Sequence, residues 1–413
     1  MAGKLLIRSI DEGDFKGKSV LLRIDINSPV DKRTGKIMDD NRIRKSVTTI
    51  RDLSERGAKL VLISHQGDTT DYASLINLRE HADRLSEAVG KKVGFIEDIA
   101  GPAALERIES IKKGEILLLD NLRYFTEEVS TFEDSVELEP GEMGRAYLVR
   151  RLAPHFDCYV NDAFSAAHRN APSMVAFQEL LPSYGGRLLI EELEALQAIT
   201  ESPKRPCVYL LGGSRVGDAF GMIHRVLSES SADAVLTSGL VGHIFMLADG
   251  ISLGEASERI IREKGYMKYV EEALKYLADY HDKIHYPEDV AFERKGIREE
   301  TSIDRCPPDR MIFDIGSKTA SRYSEIVAGA KTVFVNGPPG VYEEQISSIG
   351  TKSLWQAVES APGFTVAGGG DTVTSFTRFT DVSKIDYVST AGGALIRYLS
   401  GVELPLLKAM RRR

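Results

Sequence analysis

The chain has 413 residues, a length that favours two domains and excludes a single small binding module. With 42% hydrophobic and 28% charged residues it has the balance of an ordinary globular protein, which excludes global disorder. The 53 basic and 61 acidic residues give a net charge of −8, which argues against nucleic acid or an anionic membrane as the main partner and leaves room for a local basic patch.

From the N-terminus, acidic residues interrupt MAGKLLIRSIDEGDF before an apolar run reaches the length of a signal peptide. No stretch approaches the roughly 20 apolar residues of a membrane span. Cys158, Cys207 and Cys306 are too few and too widely spaced for a disulfide framework or a CxxC metal pair, so a reducing, cytoplasmic setting is expected. Short β-branched runs then recur in chain order: SVLLRID, KLVLIS, EILLLDN, CYVND, CVYLLGG, AVLTSG, MIFDIG, KTVFVNG, FTVAGGG and DYVST. Segments with 3.6-residue apolar spacing, such as 42–53, 78–89 and 353–358, lie between them. This alternation predicts an α/β protein of two doubly wound parallel-sheet, Rossmann-like domains. The stretch LLIEELEALQAIT reads as one helix between LPSYGG and ESPKRP, which divides the chain into a first domain over 1–187, a connector over 188–203 and a second domain from 204.

In an open parallel sheet ligands bind beyond the carboxyl ends of the strands. In the first half those positions are cationic or polar. Arg23, Asp25 and Asn27 follow the first run with a spacing of two, and Arg42 opens the next helix. His65 follows the second run, Asn121 and Arg123 the third, and Asn161, Asp162, His168 and Arg169 the fourth. A lone arginine there would be an ordinary surface residue, but recurrence at equivalent positions predicts a convergent basic patch. Such a patch suits a small substrate bearing phosphate and carboxylate, because arginine forks match both anions.

Glycines take over in the second half: Gly212 and Gly213, then Gly337 and Gly340, then Gly368, Gly369 and Gly370 before Asp371 and Thr372. A glycine-rich turn opening a helix lets backbone amides approach phosphate oxygens, and Asp371 is a candidate Mg²⁺ ligand. Alone, GGGDT is a weak signal that reads more readily as a tight turn with an aspartate cap. Neither GxxxxGK[ST] nor GxGxxG occurs, which counts against ordinary P-loop NTPases and NAD dehydrogenases. His281 and His285 lack a third ligand, Trp355 reads as packing, and 255–279 reads as one or two solvated helices.

The strings RIDINSP, LLDNLRYFTEE, NDAFSAAHR, YLLGGSRVGD, FDIGSKT, VNGPPGVYE, VAGGGDT and STAGGALIRYLSG resemble, in order and spacing, the signature blocks of the phosphoglycerate kinase family. The HQG variant at His65 resembles its archaeal branch. The resemblance spans 23–406 and implies a glycolytic phosphotransferase with a carboxyl group as acceptor, moving a phosphoryl group between 1,3-bisphosphoglycerate and ADP. It implies 3-phosphoglycerate on the first domain, ATP or ADP with Mg²⁺ on the second, and a segment over 390–413 returning to the first. Asp25 and Asn27 would bind the glycerate end and Arg42 the reacting carboxylate and phosphoryl. His65, Arg123 and Arg169 would hold the 3-phosphate, with His168 nearby. Gly212 and Gly213 would line the adenine pocket, Glu343 would bind ribose, and Asn336 would approach the phosphates. Gly370, Asp371 and Thr372 would hold phosphate and metal, while Gly392 and Gly393 would offer amides to the transition state.

No general base is needed, because a carboxylate acceptor is already ionised at neutral pH. Catalysis then rests on positioning and charge neutralisation, with closure about the connector helix as the expected motion. Three departures remove or alter a charge. Asp68 stands where the family usually has Arg or Lys, and in GGSRVGDA Arg215 replaces one lysine while Ala219 deletes another, leaving Lys318 as a candidate substitute cation. A non-catalytic nucleotide-binding relative acting as sensor or scaffold is the alternative expectation. A monomer with small-molecule partners, no nucleic acid and no membrane completes the reading.

Overall fold

The computed structural model describes residues 7–136 and 138–411. The described residues form two compact units, one running to Glu194 and resuming at Glu403, the other spanning Ala195–Val402.

The first unit is built on strands β1 (Ser19–Ile24), β2 (Lys59–Ile63), β3 (Val93–Ile96), β4 (Ile116–Leu119), β5 (Cys158–Asp162) and β6 (Ser183–Gly185). They lie in the order β3-β4-β2-β1-β5-β6, every neighbouring pair parallel, with Val20 opposite both Leu60 and Cys158. Residues on both strand faces are buried throughout β4 and β5, which explains why these runs are apolar without alternation. The helix Asn41–Glu55 turns Ile43, Val47, Ile50 and Leu53 onto the same core as Val20, Leu22, Leu60 and Leu62. Truncating a buried leucine such as Leu53 to alanine costs about 2–5 kcal/mol.

In the second unit the strands are β7 (Cys207–Leu211), β8 (Ala234–Thr237), β9 (Ile284–His285), β10 (Asp289–Arg294), β11 (Ile297–Ser302), β12 (Ile312–Ile315), β13 (Thr332–Asn336), β14 (Phe364–Gly368) and β15 (Tyr387–Val388). A parallel sheet of order β15-β14-β13-β7-β8-β9 repeats the first architecture. Trp355 packs as expected, fully buried and stacked on Phe376 at 4.4 Å between centroids, its Nε1 donating to Ser375.

The run MIFDIG departs from the parallel pattern. It forms β12 in a separate antiparallel sheet of order β11-β10-β12. Strands β10 and β11 are joined by a hairpin whose Lys295 and Gly296 both have positive φ. Their charged sequence FERKGIREE hid them from a search for apolar runs. The histidine pair is also separated: the helix Lys268–Tyr280 ends before His281, and His285 lies in β9, so the two share no helical face.

Carboxylates at or near strand ends, three of them buried and Asp98 partly exposed, hold the starts of helices. Asp98 accepts from the Ala104 amide, Asp162 from Leu189, Asp289 from Thr319 and Asp314 from Gly350, each within 3.0 Å. Asp162 therefore anchors the helix Arg187–Thr200, and burial raises its carboxyl to about 6. The boundary between the units falls within that helix, after Glu194.

The C-terminal segment changes units at Glu403, later than Thr390. The helix Gly393–Leu399 stays with the second unit because Ala394, Leu395 and Leu399 are buried there, Leu395 so close to Gly368 that a Cβ on that glycine would lie 2.2 Å from its Cδ2. Beyond it, the Leu406 amide bonds to Ala167 in the first unit. Among the described residues no helix is long and apolar enough to cross a membrane.

Candidate active site

In the first unit β1 delivers Arg23 and then Asp25 to the carboxyl end of the sheet. Asp25 is 4% exposed and accepts hydrogen bonds from Arg42, Ser165 and the Asn27 amide. Despite its burial, the positive charge of Arg42 helps hold its carboxyl near 2, so it is ionised at neutral pH. Arg42 stands in the first turn of its helix and keeps 34% of its side chain exposed, which leaves its guanidinium reachable by a ligand.

Asn27 fixes the adjacent loop by accepting the Gly67 amide at 3.0 Å, and Asn121 clamps the same loop through the Gln66 amide and carbonyl. His65 heads that loop, 7% exposed, with its Nδ1 2.9 Å from Arg23 Nη2. Arg123 donates to the Glu128 and Gly67 carbonyls, and burial together with the charge of Arg169 lowers it to about 10, still cationic at pH 7. Arg169 is paired with Glu133 at 2.6 Å and donates to Ser130 Oγ, which itself donates to Asp68. Asp25, Asn27, Arg42, His65, Arg123 and Arg169 thus form one linked network.

Asn161 and Asp162 do not belong to it. Both are fully buried: Asn161 bonds to Tyr159 and to the Ala163 amide, and Asp162 caps the connector helix. Strand register put them beside the site in sequence, but their side chains point into the fold.

The second unit builds its cavity from backbone. The β7 and β13 turns cross-link as Gly212 and Gly213 donate to Asn336 and Pro338 at 2.9 Å. Gly337 has φ +88°, and a Cβ there would lie 2.2 Å from the Gly212 oxygen. Its amide donates to Thr372 Oγ1 at 2.7 Å, so the Thr372 hydroxyl braces the turn. Asn336 likewise donates to the Gly368 carbonyl. Around this floor lies a cavity of about 160 Å³ lined by Gly212, Gly213, Arg215, Asn336, Gly370, Asp371, Thr372 and Gly392.

A neighbouring, more apolar cavity of about 300 Å³ is lined by Leu240, Ile260, Val290, Phe313, Tyr342 and Glu343, and shares Gly213 and Asp371 with the first. The smaller cavity fits phosphates beside the helix Gly370–Phe379, and the larger fits a flat ring. Gly393 begins its helix just beyond Gly392 without lining either cavity. Arg215 lines the smaller cavity with 81% of its side chain exposed, whereas Ala219 is buried in the same helix segment. Lys318 lines neither cavity. Its backbone amide instead bonds Asp289 at a helix start.

Sequence reasoning missed Ser165, Ser130 and Glu133. Ser165 follows a strand and could have been found by the same positional rule. Glu133 sits in a short helix of ordinary surface composition and gave no signal.

Two parallel-sheet units, one gathering arginines and a histidine and the other lining a cavity with glycine backbone, define a two-unit α/β protein for anionic small molecules. Residues 10–402 match the family model described as Phosphoglycerate kinase. Phosphoglycerate kinase of Thermococcus kodakarensis is 42% identical over 408 residues, covering 97% of this chain and 96% of that protein. The enzyme of Methanothermus fervidus is 40% identical over 97% of this chain and 96% of its own. Among solved structures, phosphoglycerate kinase from Pyrococcus horikoshii superposes with a TM-score of 0.85 at 37% identity, covering 98% of each chain. That from Coxiella burnetii gives 0.83 at 28% identity, again over 98% of each. The chain belongs to the phosphoglycerate kinase family. No comparison supports the non-catalytic alternative.

Proposed function

We propose that the chain catalyses reversible phosphoryl transfer between 1,3-bisphosphoglycerate and ADP, giving 3-phosphoglycerate and ATP. In the direction of ATP synthesis the bond between phosphorus and the acyl oxygen breaks, and the carboxylate departs with the electron pair. A terminal oxygen of the ADP β-phosphate forms the new bond to phosphorus, and no proton need move. The carrying observation is Arg42, bonded to an ionised Asp25 yet partly open. A cation fixed on one side and free on the other suits a phosphoryl group whose charge spreads in a loose transition state.

On the substrate side, Arg123, Arg169 and His65 supply the charge and hydrogen bonds for a phosphate. On the nucleotide side, Gly212, Gly213 and Glu343 border the space for base and ribose, and Asn336, Gly370 and Thr372 that for phosphates. Arg215 adds the one arginine lining that cavity, and Gly393 lies close by through Gly392. Asp371 fits a divalent cation: its side chain lines both cavities, and among the described residues no protein group bonds to it. Mg²⁺ in sites of this kind takes one or two carboxylates, with substrate phosphates and water completing its shell. Bound there, Mg²⁺ supplies neutralisation of phosphate charge. We place the hinge for closure in the connector helix, and read the chain as a cytoplasmic monomer; its three free cysteines agree with a reducing setting.

A coupled assay for turnover dependent on ATP and 3-phosphoglycerate tests the proposal. Absence of turnover while ADP still raises the melting temperature would favour a non-catalytic nucleotide binder.

A further inference from the structure

The inner wall of the cationic network contains an arginine that cannot reach a ligand. Arg23 is 1% exposed, one of the largest fully buried side chains in the chain. Its Nη1 donates to the Ile24 carbonyl, and its Nη2 lies 2.9 Å from His65 Nδ1. A guanidinium carries only donors and is not deprotonated in proteins. The Nδ1 it faces must therefore present a lone pair, which places the single ring proton of His65 on Nε2.

We infer that Arg23 is a positioning residue that locks His65 in the neutral Nε2–H tautomer, so that the imidazole meets the anionic substrate as an uncharged donor of fixed direction. A second proton on Nδ1 would set two donors face to face and break the bond that holds the ring. The surroundings act the same way. Arg23 faces the ring from β1 and Asp25 from just beyond it, and Arg123 and Arg169 from the loops after β4 and β5. Arg42 bears on it through Asp25, and Glu128 through Arg23. Burial holds His65 well below the usual histidine range, and cations that outnumber carboxylates at the ring add to it. Among the described residues no hydrogen bond engages Nε2, which leaves that atom for a phosphate or hydroxyl oxygen of the substrate.

The inference concerns the same site as the proposed activity but is read without substrate. Long-range ¹⁵N–¹H correlation spectra of the full chain should show His65 with Nε2 protonated and Nδ1 bare, unchanged from about pH 5.5 to 8. Arg23→Met should let the Nδ1–H tautomer appear and raise the pH at which His65 takes up a second proton, while burial still holds it below the free range. It should also make KM for 3-phosphoglycerate pH-dependent toward the acid end of that pH interval, while Arg23→Lys, which keeps a donor, should restore the native tautomer. An Nδ1–H tautomer, or a native His65 that titrates near 6.5, overturns the inference even if Arg23→Met does not fold. Loss of turnover with the tautomer intact would count against the proposed activity alone.

Discussion

The two units meet their anions by opposite means. In the first, every anion-facing group is a side chain that other side chains or carbonyls hold: Arg42 by Asp25, Arg123 by two carbonyls, Arg169 by Glu133. In the second, the cavity floor is backbone, folded so tightly at Gly212 and Gly337 that no Cβ fits. The first arrangement recognises charge and shape and can be retuned one residue at a time. The second offers amides at fixed positions, a property of chain geometry that side-chain changes at the rim leave intact.

Substitutions can break this contrast. Arg42→Ala should reduce kcat by roughly 10²–10³-fold, the cost of losing a preorganised charge in the transition state, with ADP affinity unchanged. Near-normal turnover in steady-state kinetics would remove Arg42 from the chemistry. Gly337→Ala should weaken ADP binding at least tenfold in calorimetry and cost about 1–3 kcal/mol of stability, because both φ and the Gly212 oxygen forbid a Cβ. Binding of 3-phosphoglycerate should survive it, and equal losses at both sites would mean the floor is not local to the nucleotide.

Smaller effects sharpen the comparison on the substrate side. Asp68 is ionised beside Arg123 and reaches Arg169 through Ser130. Asp68→Lys should lower KM for 3-phosphoglycerate several-fold by adding a cation, and an unchanged KM would show that the position points away from the phosphate. The smallest effect concerns stability. Burial raises Glu128 from 4.5 to about 7, so its protonated form stabilises the fold at low pH and that contribution is lost as pH rises toward 7. Glu128→Gln should flatten the stability profile across that interval by on the order of 1–3 kcal/mol in denaturant titrations. A parallel, undiminished profile would place the titration elsewhere.

Much of this was legible in the sequence, for reasons that also mark the limits. Apolar runs announced the parallel strands because both faces of those strands are buried. The same criterion overlooked β10 and β11, because charge fills the hairpin from Glu293 to Glu300 even though the first four residues of β10 are buried. Position after a strand singled out His65 and Arg123, and position at a helix start Arg42; the strand rule also admitted Asn161 and Asp162, since the side of the backbone on which a residue emerges depends on register. Glycine spacing located the nucleotide-type cavity. The pairing of Arg169 with Glu133 and of Arg23 with His65 was hidden, because each joins residues far apart in the chain. The return of the C-terminus at Glu403 rather than Thr390 depended on where Leu395 finds a pocket, which is a question of packing.

The close approach of Gly212 and Gly337 has a consequence for adaptation. A Cβ on Gly212 would meet Ser238 Oγ at 2.5 Å and the Gly337 oxygen at 2.9 Å, so each glycine excludes substitution of the other and no single change relieves both. The floor is therefore frozen for any stepwise search through sequence space. A library aimed at a different nucleotide base should leave it untouched and vary the rim, where Leu240, His243 and Tyr342 line the apolar cavity without taking part in the crossing.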